Sequence, residues 1–303
     1  MESSNAWRSP HGTPLPVVGG RTLIMGIVNV TPDSFSDGGA YVDVDEAVAQ
    51  AGRLVRGGAD IVDIGGESTR PGHQVVDVAE ETRRVVEVTR ALRRCMPGLP
   101  ISVDTMKAQV ADAAIEAGAD MVNDVWGFKH GLSDAALDAW TRAVREGRQG
   151  LDGLELPAMA RMAASRDCPV FLMHNRRDMD YGTDFWATLL LDLRVSIAMA
   201  QAAGCRRCQL WVDPGFGFPK NFAMNLEVVR NLQRLHELGL PILLGTSRKS
   251  TIGKLLDRPV DQREAGTAAT HVWGISRGCA MVRVHSVEAQ LDAIRMADAL
   301  RGG

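Results

Sequence analysis

The chain is poor in several features, and each shortage excludes a class of protein. Its five cysteines are few and odd in number among 303 residues, which excludes a disulfide scaffold and favours a reducing, cytoplasmic environment. A balance of 34 basic against 37 acidic side chains gives a net charge of −3, so we expect no nucleic-acid or membrane-surface partner. No apolar run approaches about 18 residues, and the first 20 residues lack the apolar core of a secretory signal. The sequence therefore predicts no membrane-spanning segment.

The residues that are present indicate a globular protein with a large core. Apolar residues make up 45% of the chain and charged residues 23%, which is an ordinary balance for such a protein. The closest cysteine pair is Cys205 and Cys208, and no second pair or suitably spaced histidine lies nearby in the sequence. We interpret this pair as two reduced thiols in a turn rather than as a zinc site.

Short apolar runs alternate with stretches of helical periodicity from residue 23 to the end. The predicted strands are Leu23–Val30, Ile61–Gly65, Ile101–Asp104, Met121–Asp124, Val170–His174, Gln209–Asp213, Ile242–Gly245 and Ala280–His285. The predicted helices are Asp45–Arg56, Val78–Cys95, Ala108–Ala117, Asp184–Ala203, Leu226–Leu238, Arg263–Arg277 and Val287–Leu300. Strands without polar alternation are buried on both faces, as in a parallel sheet covered by helices. Eight such units predict a closed (β/α)8 TIM barrel of the α/β class.

An open, doubly wound sheet is the alternative. That fold usually carries a Gly-rich turn after its first strand, whereas Thr31-Pro32-Asp33 follows here. We predict one barrel domain over residues 22–303, preceded by a Pro-, Gly- and Ser-rich tail at 1–21. The fourth connection is too long for a simple crossover, and amphipathic stretches at Asp134–Glu146 and Leu156–Ala164 predict a helical insertion at about 130–165. A longer surface crossover, a lid and an interface element all remain open for it.

Every predicted strand has a hydrogen-bonding or charged side chain at or beside its carboxyl end. These residues are Asn29, Asp63, Asp104, Asn123 with Asp124, His174, Asp213, Ser247-Arg248-Lys249, and Arg283 with His285. Any one of them could simply cap the next helix. Eight strand ends are harder to explain in that way, because each buried polar group without a partner costs free energy. Since the carboxyl ends of barrel strands meet at one mouth, the pattern predicts a single site there.

The predicted site combines two kinds of side chain. The hydrogen-bond acceptors and the amide that suit a heterocycle with ring N–H and amino groups are Asp104, Asn123 and Asp213. The cations that suit a phosphorylated group are Lys249, Arg283 and His285. The pattern predicts a ligand with a polar ring and an anionic group. The loops Thr31–Gly39 and Glu67–Gly72 leave strand ends beside it and are either ordinary turns or a mobile lid.

Several segments resemble the motifs of the dihydropteroate synthase family. They are MGIVNVTPDSFSDGG at Met25–Gly39, GADIVDIGGESTRPG at Gly58–Gly72, SVDT at Ser102–Thr105, NDVWG at Asn123–Gly127, LMH at Leu172–His174, DPGFGF at Asp213–Phe218, GTSRKSTIG at Gly245–Gly253 and VRVH at Val282–His285. They occur in family order and cover nearly the whole chain. The resemblance implies a dimeric TIM barrel that joins p-aminobenzoate to 6-hydroxymethyl-7,8-dihydropterin pyrophosphate and releases pyrophosphate in folate biosynthesis.

The resemblance also implies roles for individual residues. The pterin ring would be bound by Asp104, Asn123, Asp213, Lys249 and Arg283. The pyrophosphate would be bound by Arg70, Arg283 and His285, and Asn29 would help to bind Mg²⁺. The p-aminobenzoate pocket, which also accepts sulfonamides, would be bordered by Phe35, Thr69, Pro71 and Ser250. No covalent enzyme nucleophile is expected.

Some positions depart from the family pattern. Asn175, Pro219 and Ser286 replace the Met, Gly and Asp that the family tends to have, and the insertion adds length. Two alternatives therefore remain open. One is a divergent paralogue with little or no synthase activity that retains the pterin and sulfonamide pocket. The other is a pterin-binding methyltransferase that acts on a methylated folate, against which the Arg70-Pro71 loop and the Ser247–Ser250 segment argue.

Overall fold

Eight parallel strands form one sheet that closes on itself. The computed structural model describes residues 6–30, 44–68, 76–148, 150–151 and 153–302. The strands are β1 Leu23–Asn29, β2 Ile61–Gly65, β3 Ile101–Asp104, β4 Met121–Asp124, β5 Val170–Met173, β6 Leu210–Asp213, β7 Leu243–Leu244 and β8 Met281–Val284. Neighbouring strands follow the order β6-β5-β4-β3-β2-β1-β8-β7, and a parallel bridge between Val212 and Ile242 joins the two ends. The predicted TIM barrel is confirmed.

Ten α-helices lie in the part of the chain that the structure describes. They are α1 Val44–Arg56, α2 Val78–Cys95, α3 Ala108–Ala117, α4 Asp134–Arg145, α5 Ala158–Arg166, α6 Phe185–Ala203, α7 Phe222–Arg230, α8 Ser250–Leu256, α9 Glu264–Ser276 and α10 Glu288–Arg301. Local sequence sets several of their starts, because the side chains of Asp77, Ser133, Asp184 and Asn221 each accept a hydrogen bond from a first-turn backbone N–H. The strands are buried on both faces, as the apolar runs predict.

Two predicted elements differ from the structure near the end of the barrel, and one helix there was not predicted. The helix expected at Leu226–Leu238 is wrong, because α7 starts earlier, after the N-cap Asn221, and the chain continues as a 3-10 helix over Leu232–Leu238. Strand β7 is shorter than the predicted Ile242–Gly245. The short helix α8 at Ser250–Leu256 was not predicted, since seven residues are too few to show a clear helical period.

The amino-terminal segment closes the lower end of the barrel. Trp7 is buried against Trp211 and Phe171, with ring centroids 4.9 and 6.4 Å apart, and its Nε1 donates to the carbonyl of Pro16 at 2.9 Å. Ser9 Oγ donates to the buried carboxylate of Asp120 at 2.6 Å. Residues 6–20, which precede the first strand, therefore cover the apolar floor at the amino ends of the strands.

The fourth connection contains two helices, as the amphipathic stretches predict. Helix α4 packs against α6, and α5 packs against α3 and α6, so both lie on the outer ring of the barrel. Helix α6 is also the one described helix that is long and apolar enough to span a membrane by length and composition alone. Half of that stretch is buried inside the fold, and α6 contacts β5, which is the environment of a barrel helix.

Candidate active site

Arg283 is the centre of a buried hydrogen-bond network at the carboxyl ends of the strands. Its Nε donates to Asp63 Oδ2 at 2.6 Å, and its Nη2 donates to Asp104 Oδ2 at 2.7 Å. Asn123 Nδ2 donates to the same oxygen of Asp63 at 3.0 Å. The network joins β8, β2, β3 and β4, because parallel strands in register bring these ends to one level of the barrel.

This network carries an excess of negative charge. One guanidinium serves two carboxylates, and both carboxylates are buried. Burial, with the nearby carboxylate of Asp63, raises the pKa of Asp104 to about 7 although Arg283 opposes the shift. Burial alone would lower the pKa of Arg283, but Asp63 and Asp104 raise it above its ordinary value. Asp63 Oδ1 and Asp104 Oδ1 are buried without a hydrogen-bond partner, so the network is poised to accept donors.

A second charged pair, Asp213 and Lys249, lies close to this network. Asp213 at the end of β6 accepts a hydrogen bond from Gly215 N at 2.6 Å, and burial raises the pKa of its carboxyl group. Lys249 lies at the start of α8, where its ammonium donates to the carbonyl of Phe216 and lies 4.9 Å from the ring centroid of Phe218. Burial lowers the pKa of Lys249 to about 8, although Asp213 opposes the shift.

The backbone before Lys249 is held in an uncommon conformation. Arg248 has a φ of 57°, in the left-handed region that a non-glycine residue adopts only with support. Its N–H donates to Thr267 Oγ1 at 3.1 Å, its carbonyl accepts from Arg263 at 2.9 Å, and its side chain pairs with Glu264 at 2.5 Å. The first turn of α9 therefore fixes the direction in which Lys249 leaves the chain.

The remaining predicted residues fall into two groups. His285 follows β8, and both its N–H and its Nδ1 lie within hydrogen-bond distance of Ser247 Oγ, at 3.2 and 3.0 Å. Asn29 is the half-buried last residue of β1, and Ser250 begins α8. The residues Phe35, Thr69, Arg70 and Pro71, with the loops Thr31–Gly39 and Thr69–Gly72, lie outside the described residues.

Two strand-end residues do not face the mouth. Asp124 accepts hydrogen bonds from Trp126 N and Phe128 N, at 2.9 and 2.7 Å, so it stabilises its own turn. His174 is completely buried and points between α6 and the loop after β6. The expectation that all eight strand ends contribute to one site is therefore wrong for β4's Asp124 and for β5, because local turn and packing contacts occupy these side chains.

A cavity of about 780 Å³ opens beside the network. Its walls include Asp104, Met106, Trp126, Asn175, Phe218 and Lys220. This volume suits a small organic ligand, and the mixture of apolar walls with a few charged groups is typical of such sites. Asp63 was expected at the mouth without a specific role, whereas Phe218 and Lys220 were not expected to line the site. An aspartate in the middle of the apolar run IVDIG was the sequence signal for Asp63.

Comparisons with known proteins agree with this geometry. The family model described as "Pterin binding enzyme" matches residues 25–285. A curated dihydropteroate synthase from Clostridium beijerinckii is 45% identical over 282 residues, which cover 93% of this chain and 95% of the relative. A dihydropteroate synthase from Clostridium difficile, crystallised in the presence of pteroic acid, superposes with a TM-score of 0.83 at 44% identity and covers 94% of this chain and 99% of that one. The enzyme from Xanthomonas albilineans with 4-aminobenzoic acid gives a TM-score of 0.80 at 42% identity, covering 93% and 94%.

The fold and the family match define a pterin-binding enzyme. Within this class, the chain belongs to the dihydropteroate synthase family. The predicted activity, a transferase reaction of folate biosynthesis that releases pyrophosphate, is confirmed by this membership. The matches give no support to the methyltransferase alternative.

Proposed function

We propose that this chain condenses p-aminobenzoate with 6-hydroxymethyl-7,8-dihydropterin pyrophosphate at the mouth of its barrel. Asp104, Asn123 and Asp213 would bind the ring N–H and amino groups, and Lys249 would donate to the ring carbonyl. Arg283 would lie against the ring. The observation that carries the proposal is the network in which Arg283 joins Asp63 and Asp104 while two buried carboxylate oxygens have no partner. A ring with several N–H donors satisfies such oxygens.

The chemistry follows from the charges around the ring. Release of diphosphate from the pterin methylene carbon leaves a cation-like carbon, and an ionised Asp213 hydrogen-bonded to the ring stabilises it. Arg70, Arg283 and His285 would bind the diphosphate and neutralise its growing charge. The arylamine nitrogen then attacks that carbon and loses a proton. Because both reactants are held in place, no covalent enzyme intermediate is required.

We propose that p-aminobenzoate binds beside the pterin at the mouth of the barrel. Phe35, Thr69, Pro71 and Ser250 would border its pocket. Ser250 begins α8, whose first-turn N–H groups suit a carboxylate. Sulfonamides share the arylamine and the anionic end of this substrate, so they would compete for the same pocket. The structure of the Xanthomonas albilineans relative with 4-aminobenzoic acid supports p-aminobenzoate as the substrate.

We propose that Mg²⁺ binds together with the diphosphate. No group of three or more His, Cys, Asp or Glu side chains in the described ranges could hold a metal ion by itself. Asn29 offers a single amide oxygen at the end of β1. This fits Mg²⁺, which keeps several waters and is commonly held by one or two protein ligands and substrate phosphates. When bound, the ion would neutralise charge on the leaving diphosphate.

We propose that the chain forms a homodimer through the outer faces of α7, α8 and α9. These helices surround an apolar cleft of about 280 Å³, and Leu255, Leu256 and Trp273 at this face are about half exposed. Such a patch is typical of an interface, and a second copy covers it symmetrically. Trp273→Glu is expected to give a monomer in analytical ultracentrifugation. Met296→Glu, on the equally exposed surface of α10, serves as the control and should leave the dimer intact.

We propose that the enzyme is cytoplasmic, and the state of its thiols supports this location. All five cysteines lie in the described residues and none is in a disulfide. Burial raises the pKa of the Cys168 and Cys279 thiols to about 12, which keeps them protonated and unreactive. This supports the proposed cytoplasmic location.

A steady-state assay tests the proposed reaction directly. Purified enzyme, pterin pyrophosphate, p-aminobenzoate and Mg²⁺ are expected to give dihydropteroate and diphosphate in equal amounts. Sulfonamide should inhibit competitively against p-aminobenzoate, and omission of Mg²⁺ should weaken binding of the pterin pyrophosphate. A folded enzyme that binds 6-hydroxymethylpterin but yields no product would favour the divergent paralogue instead.

Pterin affinity is expected to peak between about pH 7 and pH 8. Asp104 accepts ring hydrogen bonds when it is ionised, and its pKa is raised to about 7, so affinity rises as pH increases through that value. Lys249 donates when it is protonated, and its pKa is lowered to about 8, so affinity falls above it. Calorimetric titration with 6-hydroxymethylpterin across this range measures both the rise and the fall in affinity.

Two variants test which side chain causes the rise in affinity around pH 7 and which causes the fall above pH 8. Asp104→Asn should abolish the rise in affinity around pH 7, and Lys249→Met should abolish the fall above pH 8. Any pH dependence that comes from titration of the pterin itself persists in both variants. The same profile in the wild-type enzyme and in both variants would show that neither side chain controls binding.

A further inference from the structure

The position of the Lys249 ammonium depends on a loop that follows a different strand. Its ammonium contacts the carbonyl of Phe216 and the ring of Phe218, both of which belong to the segment Gly215–Lys220 that follows β6. Among the hydrogen bonds of the described residues, this carbonyl is the one protein acceptor of the Lys249 ammonium. A shift of the loop by a fraction of an ångström would therefore move the ammonium relative to a bound ligand.

Neighbouring elements hold this loop at several points. Asn225 of α7 accepts from Gly217 N at 2.6 Å and donates to the carbonyl of Lys220 at 3.0 Å. Tyr181 donates its hydroxyl to the carbonyl of Pro219 at 2.9 Å. Gly215 lies directly on the end of β5, since a Cβ added there would come within 2.0 Å of the His174 carbonyl. The loop is thus fixed by its own backbone as well as by side chains.

A buried chain of three side chains lies beneath the loop. Lys220 Nζ donates to the Gly215 carbonyl at 3.0 Å and lies 2.9 Å from His174 Nδ1. His174 Nε2 lies 3.0 Å from Asp192 Oδ2. Burial lowers the pKa of His174 to about 3, so the ring is neutral, donating from Nε2 to Asp192 and accepting at Nδ1 from Lys220.

Burial of these three side chains costs free energy. Lys220 is nearly inaccessible, and burial lowers its pKa to about 7. A buried amine of this kind destabilises a fold unless hydrogen bonds compensate. An apolar side chain would fill the same space at lower cost, but it could not hold the Gly215 carbonyl and His174 together.

We propose that the contact between His174 and Lys220 is a positioning device, which fixes the Gly215–Lys220 loop and through it the ammonium of Lys249 in the binding site. This inference rests on the proposed role of Lys249 in binding the pterin ring. His174 and Lys220 are positioning residues, since they act through Lys249 and the loop. The side chain that follows β5, which faces away from the mouth, thereby acquires a role in the site.

Two conservative replacements of His174 separate its two contacts. His174→Gln places an amide nitrogen near Nε2, which keeps the bond to Asp192 and loses the acceptor for Lys220. His174→Asn places an amide oxygen near Nδ1, which keeps the bond to Lys220 and loses Asp192. His174→Gln is expected to raise the Kd for 6-hydroxymethylpterin about five- to tenfold, the size of one hydrogen bond. His174→Asn should change it by less than about twofold, while urea unfolding reports the stability of both.

A double-mutant cycle with Lys249→Ala decides whether the effect passes through Lys249. In that background, His174→Gln should no longer change pterin affinity. An equal loss in both backgrounds, or equal losses from the Gln and Asn variants, would overturn the positioning role. If Lys249→Ala alone leaves the affinity unchanged, the proposed pterin site itself is wrong. If that variant binds weakly while His174→Gln binds normally, only the present inference fails.

Discussion

Replacing Arg283 with Ala is expected to lower the free energy of unfolding by about 3–5 kcal/mol near neutral pH. The variant leaves the carboxylates of Asp63 and Asp104 buried at the mouth without their shared guanidinium. Pterin affinity should fall as well, because without the guanidinium a smaller fraction of Asp104 is ionised. Urea unfolding measures the stability loss, and calorimetry with 6-hydroxymethylpterin measures the loss of binding.

The electrostatic part of this stability loss can be separated from a simple loss of packing. Adding Asp63→Asn to Arg283→Ala removes one of the two uncompensated charges and should recover part of the lost stability. The loss should also shrink at about pH 5, since the pKa of Asp104 is already raised to about 7 with the arginine present. A cost below about 1 kcal/mol, independent of pH, would mean that water reaches these carboxylates and that the network does not hold the site together.

Replacing Asp213 with Ala is expected to weaken binding of 6-hydroxymethylpterin by roughly 1.5–3 kcal/mol, or about 10- to 150-fold. The variant loses the acceptor for a ring N–H and the negative charge that faces Lys249. Product formation should fall further than affinity, because this carboxylate also stabilises the cation-like carbon. Calorimetry and single-turnover assays measure the two losses separately.

Asp124 provides a matched control for this variant. It is also a buried aspartate at the end of a strand, but its carboxylate caps the turn at Trp126 and Phe128. Asp124→Ala should therefore lower stability while leaving the pterin Kd unchanged. If both variants weaken binding equally, the loss at Asp213 reflects general disorder of the strand ends rather than a direct contact.

The barrel could be predicted from sequence because its signals are local and repeated. Each strand is an apolar run, and the boundaries of β2, β3 and β4 agree with those expected from composition. The error near α7 also comes from relying on such a local signal. An amphipathic period continues through Asn231, but that residue ends α7, and hydrogen bonding then changes to the 3-10 type. Apolar spacing alone does not distinguish these two helices.

The site was less accessible to sequence reasoning. Strand-end position and charge were enough to suggest Asp104, Asn123, Asp213, Lys249 and Arg283. They could not show that Asp63 shares the guanidinium of Arg283, since 220 residues separate the two in sequence. Nor could they show that His174 faces a lysine and an aspartate behind the mouth. Such partners depend on the closure of the barrel rather than on spacing along the chain.

The indole of Trp7 has a consequence for biosynthesis of the protein. Its packing partner Trp211 emerges from the ribosome some two hundred residues later, and the backbone of Arg8 pairs with the side chain of Gln209. Trp7 therefore cannot reach its final contacts until the sixth strand has been synthesised. Completion of the floor is a late event of high contact order, and until then its apolar side chains remain exposed to aggregation in the nascent chain.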